Sequence, residues 1–202
     1  MPNLTLGGFR YAFSAICGEP QKFKREVASG YATALGIGDP IIQVSDGTIA
    51  VAGAGDEPFG VITGCWYSRD GYLPTPAKMI PASTTFTPST VGSPYASYVE
   101  FIPAIPNVHF FEVDADTTST DIATAIAAIG VNTDMTTGTP DAVRGSTYSL
   151  DISDQATTES LPWRIVDVVI RGTDEYDAAR VKYIVTANHS GWPSAATNRV
   201  GI

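Results

Sequence analysis

Residues 41–51 read Ile41-Ile42-Gln43-Val44-Ser45-Asp46-Gly47-Thr48-Ile49-Ala50-Val51. Two β-branched runs flank an Asp-Gly pair whose residues both reach positive φ at little cost, so the stretch predicts a β-hairpin turning at Asp46-Gly47. Upstream, Gly36-Ile37-Gly38-Asp39-Pro40 reads as a loop. Downstream, the glycine-rich Gly53-Ala54-Gly55-Asp56-Glu57-Pro58 separates the hairpin from a third strand, Phe59-Gly60-Val61-Ile62-Thr63-Gly64-Cys65-Trp66-Tyr67. Gly60 and Gly64 inside that strand predict bends of the kind that close a small barrel. Short strands with turn signals this closely spaced point to a sandwich or barrel, not to βαβ units.

The remainder extends the pattern. Residues 98–102 and 108–113 predict two strands, and residues 147–152 another. Trp163, Ile165, Asp167 and Val169 alternate with Arg164, Val166, Val168 and Ile170, as in a half-buried antiparallel strand. Residues 180–187 return from it. Ile122, Ala125, Ile126 and Ile129 recur at helical spacing after the capping residues Ser119-Thr120-Asp121, and Gly130 stops the helix. Residues 131–146 read as a polar loop. Residues 69–96 carry Pro74, Pro76, Pro81, Pro88 and Pro94 and read as a long irregular excursion, by its length either a binding or contact element or a disordered segment. The expectation is eight or nine strands and one short helix: an all-β, mainly antiparallel barrel or sandwich. Residues 1–30 form an extended N-terminal arm on a body spanning 31–202.

Composition agrees with that class. The chain has 202 residues, enough for one domain to bury a core without staples. Charged residues are 16%, against about a quarter in ordinary domains. Only four Lys and seven Glu are present, too few to solvate the faces of a helical bundle. The net charge is −9. Residues 1–26 carry four basic and two acidic groups, so the excess acid lies in the body. Such a body repels phosphate backbones, and no nucleic-acid partner is expected. No apolar run approaches the length of a membrane span, and Arg10 interrupts the only mildly apolar N-terminal stretch, so neither a span nor a secretory signal is expected.

No stretch assembles a catalytic or metal site. The loop 53–58 lacks the Gly-Lys-Ser/Thr ending of a phosphate cradle and reads as a turn needing positive φ. Asp114, Asp116 and Asp121 do not match a calcium loop. Ser190 follows His189 directly, and adjacent residues on a strand face apart. His109 reads as a packed or interface histidine, and Cys65 beside Trp66 as core. Cys17 and Cys65 are expected to stay reduced. No catalytic residue, metal or cofactor is assigned, and the chain is read as a non-enzyme. The positive clue is the spread of aromatics into the arm, the Pro-rich loop and the tail, which suits an assembly surface as well as the protein's own body. The arm is expected to drape over its own body or a neighbouring subunit. Its basic and aromatic residues Arg10, Tyr11, Lys22, Phe23, Lys24 and Arg25 are the candidate partner-binding set, and their charge suits an acidic neighbour.

Two regions carry a resemblance. Val27-Ala28-Ser29-Gly30-Tyr31 leads to Gly38-Asp39-Pro40, then to Val44-Ser45-Asp46-Gly47-Thr48-Ile49 and Phe59-Gly60-Val61. Leu150-Asp151-Ile152 and Trp163-Arg164-Ile165-Val166-Asp167 precede the closing hairpin. Together they resemble tailed-bacteriophage virion proteins of the head decoration, or capsid cement, type, over about half of the chain. The resemblance implies a protein made in the host cytoplasm that binds the major capsid protein on the outside of the virion. It would act there as a homo-oligomer, often a trimer, and brace the shell. Aromatics able to stack on sugar rings keep a second reading open, a carbohydrate- or host-binding module of a head or tail fibre. A third, a polysaccharide depolymerase fragment, would need two carboxylates converging in a cleft about 5–10 Å apart.

Overall fold

The structure is a computed structural model, and it describes residues 7–16, 18–69, 72–85, 92–116, 122–169 and 181–189. Among them are fourteen strands and one short helix. One sheet is ordered β1 (Arg10–Ser14), β10 (His109–Asp114), β14 (Lys182–Ala187), β13 (Trp163–Val168), β11 (Asn132–Thr136), β12 (Ser149–Ala156). The other runs β2 (Phe23–Glu26), β9 (Tyr98–Pro103), β6 (Gly60–Tyr67), β4 (Pro40–Gln43), β5 (Ile49–Val51), with β7 (Thr75–Ala77) also paired to β6. A two-stranded ribbon joins β3 (Leu35–Gly36) to β8 (Met79–Ile80). The strand pairs within these sheets are antiparallel. The architecture is therefore all-β and of the sandwich kind, and the barrel alternative fails because the sheets are not closed.

Two apolar clusters explain the layering. The first lies between the sheets and joins Val61 and Ile102 of the second sheet to Phe111, Met135, Leu150, Trp163, Tyr183 and Val185 of the first, with Phe9 stacked on Trp163 at 4.4 Å. The second occupies the other face of the second sheet, where Phe59, Val99 and Phe101 meet Leu35 and Ile80 of the ribbon. Successive residues Phe101 and Ile102 serve different clusters, as strand alternation requires.

The predicted hairpin is present as β4–β5, with a different turn. Only Gly47 has positive φ (86°), and Val44 N–H donates to Thr48 O at 2.9 Å around a three-residue loop. Asp46 accepts from the Thr48 N–H (2.9 Å) and hydroxyl (2.6 Å), which holds its carboxyl below the ordinary range. Gly60 has no positive φ, so its requirement is space. A Cβ there would collide with the Phe101 ring and stand 2.8 Å from the Ile102 carbonyl oxygen. Gly60→Ala is expected to destabilise by about 1–3 kcal/mol, read as a lowered midpoint of urea unfolding.

Four expectations need correction. Residues 131–146 are not all loop, since they contain β11, whose Thr133 hydroxyl donates to Asp151 O at 2.5 Å. Its polar composition hid it. The Pro-rich excursion contains β7 and β8; Pro76 is tolerated because β7 is an edge strand. Helix α1 (Ile122–Ala127) buries Ala125 and Ala128, while Ile126 and Ile129 are exposed, so the apolar face lies elsewhere than the Ile spacing indicated. A register shift between Ile165 and Asp167 breaks the alternation of β13, turning Asp167 outward and Val168 inward. The proposed cap Ser119-Thr120-Asp121 includes only residues outside the described set.

Two strands of the N-terminal segment are built into the sheets. β1 pairs with β10 and β2 with β9, which makes these residues edge strands of both sheets.

Candidate interaction surface

The six candidate residues fall on two edges. Arg10 and Tyr11 lie on β1, opposite Glu112 and Phe111. Tyr11 packs edge-on to Phe111 (6.4 Å) and His109 (6.3 Å) and is partly buried. His109 is itself buried, with Nδ1 2.6 Å from Pro103 O, so it is a packed histidine. Phe23, Lys24 and Arg25 lie on β2 at the edge of the other sheet, and the exposed Lys22 immediately precedes it. Phe23 packs against Phe101 at 6.0 Å and belongs with the second core.

Lys24 has the most developed surroundings. Its ammonium stands 5.4 Å from the Trp66 ring and 5.1 Å from the Tyr98 ring, and 3.2 Å from Glu100 Oε1. The two rings stack at 5.0 Å and 10°. They meet because Trp66 and Tyr98 are register partners on β6 and β9, and Lys24 opposes Glu100 on β2. The indole lies over Gly64, where a Cβ would be 2.7 Å from Cζ3. An ammonium over aromatic faces contributes roughly 0.5–1 kcal/mol at an exposed site. Arg25 Nη1 donates to Lys24 O at 3.0 Å.

Beside this cluster runs a groove of about 780 Å³. Lys24, Arg25 and Glu26 of β2 form one wall; Gln43 and Gly47 of the β4–β5 hairpin, with Pro74, Pro94 and Tyr98, form the rest. Both Glu26 carboxylate oxygens accept from Gly92 N–H (2.8 and 3.0 Å). Sequence reasoning singled out Lys24 and Arg25, and missed their neighbours Glu26, Gln43 and Tyr98 and the groove. The detectable signal was Glu100, an acid at an alternate position of an otherwise apolar strand beside Tyr98.

The remaining features are structural. Gly55 takes positive φ (76°) in the loop 53–58, and Asp56 accepts from Gly53 N–H at 2.7 Å. Asp114 is ion-paired with Lys182 at 2.9 Å, and Asp116 accepts from Ile152 N–H at 3.1 Å; Asp121 lies outside the described residues. Burial pushes the Cys65 thiol up to about 12, helped by the nearby Asp39 carboxylate, so it stays protonated at neutral pH. Cys17 and Ser190 lie outside the described residues. His189 contacts Glu159 O through Nε2. Among the described residues no group of three or more His, Cys, Asp or Glu is placed to hold a metal.

No family model, curated protein or solved structure matches this chain.

Proposed function

We propose that this is a structural virion protein that binds the outer surface of a phage capsid through the major capsid protein and stabilises the shell, working as a homo-oligomer, a trimer by the resemblance. The observation that carries the reading is the open edge at β1. Phe13 is 48% exposed yet stacked on Phe110 at 4.6 Å, and Ile16 just beyond is 65% exposed. Exposed aromatic and aliphatic side chains on and just beyond an edge strand offer contact surface to a neighbour. An interface of roughly 1,600 Å² suffices for stable docking, and a repeating lattice multiplies weak contacts.

Phe13→Asp is expected to leave the thermal unfolding midpoint within a few degrees and to strip the protein from purified particles. Cryo-electron microscopy of the source particles checks both location and loss. Detection of the chain only in infected cells, never on virions, would end this reading. Deleting residues 1–26 is the wrong test, because it removes two paired strands and the buried Phe9 along with the arm's charge.

The stacked Trp66–Tyr98 pair favours a second reading, a carbohydrate- or host-binding module, since the rings offer a platform for the C–H face of a sugar. Binding of purified protein to a glycan array, with absence from the head shell, would decide for it.

A further inference from the structure

The groove is the seam at which the second sheet fails to close. Its two edge strands, β2 and β5, touch at one end through a single parallel bridge, Val27 to Ile49. Away from that bridge, β2 on one side and the β4–β5 hairpin on the other line the open space. Consecutive strand residues point to opposite faces, so a groove reached by Lys24, Arg25 and Glu26 together runs along the strand's edge and not over a face.

That edge presents main-chain groups. Val27 N–H donates to Ser97 O at 3.0 Å, which turns the odd-numbered residues of this segment toward β9. The Glu100 carbonyl accepts from the Thr63 hydroxyl at 3.3 Å, on the β6 side. Lys24 and Glu100 therefore form a non-hydrogen-bonded pair, and the Lys24 N–H and C=O face the groove. The side chain of Arg25 already bonds that outward carbonyl.

We propose that the seam receives an extended, acidic polypeptide segment of a partner chain, which pairs with β2 as an added strand. Main-chain hydrogen bonds supply affinity in this mode, and side chains at alternate positions supply selectivity. The preference for acid follows from the charges. In a chain of net charge −9, the edge carries the exposed Lys22, then Lys24 and Arg25, three cations against the carboxylates of Glu26 and Glu100, so it is locally positive. Lys24 is shared with Glu100, so Lys22 and the remaining guanidinium donors of Arg25 provide most of the attraction. The inference stands apart from the virion reading, because it names a chemistry and not an assembly.

The test uses the full chain and three probes: a capped decapeptide alternating Glu and Val, its Lys-Val counterpart, and oligogalacturonate. Calorimetry is expected to show binding of the Glu-Val peptide only, with hydrogen exchange slowed at the Lys24 and Glu26 amides. N-methylation of alternate peptide residues is expected to weaken binding at least about tenfold, since it removes ladder donors. Arg25→Glu is expected to weaken it about tenfold. If that variant unfolds, Lys22→Glu, at an exposed position, carries the same expectation. No binding, equal binding of the Lys-Val peptide, binding without amide protection, or preference for the uronate would each overturn the proposal. A null result here together with location on virions would leave the virion reading intact.

Discussion

Lys182→Met is expected to destabilise the protein by about 3–5 kcal/mol at neutral pH, the range for removing one partner from a buried ion pair. Lys182 on β14 is the register partner of Asp114 on β10, with Nζ 2.9 Å from Asp114 Oδ1 and 3.8 Å from Glu112 Oε1. All three side chains are about nine-tenths or more buried. Methionine fills most of the volume, so the loss is chiefly electrostatic: the buried Asp114 carboxylate loses the ammonium 2.9 Å away. Urea unfolding at pH 7.5 measures it. Asp114→Asn added to Lys182→Met is expected to recover part of the loss, a non-additivity that separates the charge effect from packing. Losses that simply add in the double variant would assign the role of Lys182 to its methylene chain instead.

Asp39 is expected to reverse the usual acid sensitivity at its own site. Its side chain is buried, and one oxygen accepts from Gly36 N–H at 2.6 Å. Burial pushes its pKa from 3.8 up to about 6, against the lowering effect of the Ser146 and Gly36 hydrogen bonds. The folded state holds this proton more tightly than the unfolded chain. The stabilisation is complete below about pH 4 and disappears as pH rises through about 6. Its size, about two pH units at ~1.4 kcal/mol each, is about 3 kcal/mol. Asp39→Asn keeps an acceptor for Gly36 and removes the titration. Relative to wild type, the variant should therefore be about 2 kcal/mol better placed at pH 7.5 than at pH 4.5. Asp46 and Asp141, whose carboxyls are held low by local hydrogen bonds, act in the opposite direction in both proteins and cancel in the comparison. A wild-type-to-variant difference that does not change with pH would show that Asp39 titrates normally.

Legibility followed locality. The β4–β5 hairpin, β6, β9 and β14 are readable because each is a continuous apolar or β-branched run bounded by glycine, proline or an Asx residue. β11 was invisible because Asn132, Thr133 and Asp134 look like loop until Asn132 bonds Thr158 O and Thr133 bonds Asp151 O. The inward turn of Val168 was equally hidden, since a bulge is a property of a strand pair and not of one strand. At the candidate surface, the basic cluster on 22–25 stood out by charge alone. Its neighbours Trp66, Tyr98 and Glu100 come from β6 and β9, and nothing near Lys24 in the chain announces them.

By itself, the order of residues determined that this chain is built from short antiparallel strands, where most of them turn, and that acid dominates everywhere except near the N-terminus. Those properties depend on side-chain alternation and on backbone φ, which act over a few residues. Only the tertiary structure decided which strands are neighbours, which face of β13 is inside, and that β2 and β5 meet at one bridge and part beyond it. Such pairings close loops of tens of residues, and their free energy comes from apolar surface that exists only once both partners are in place.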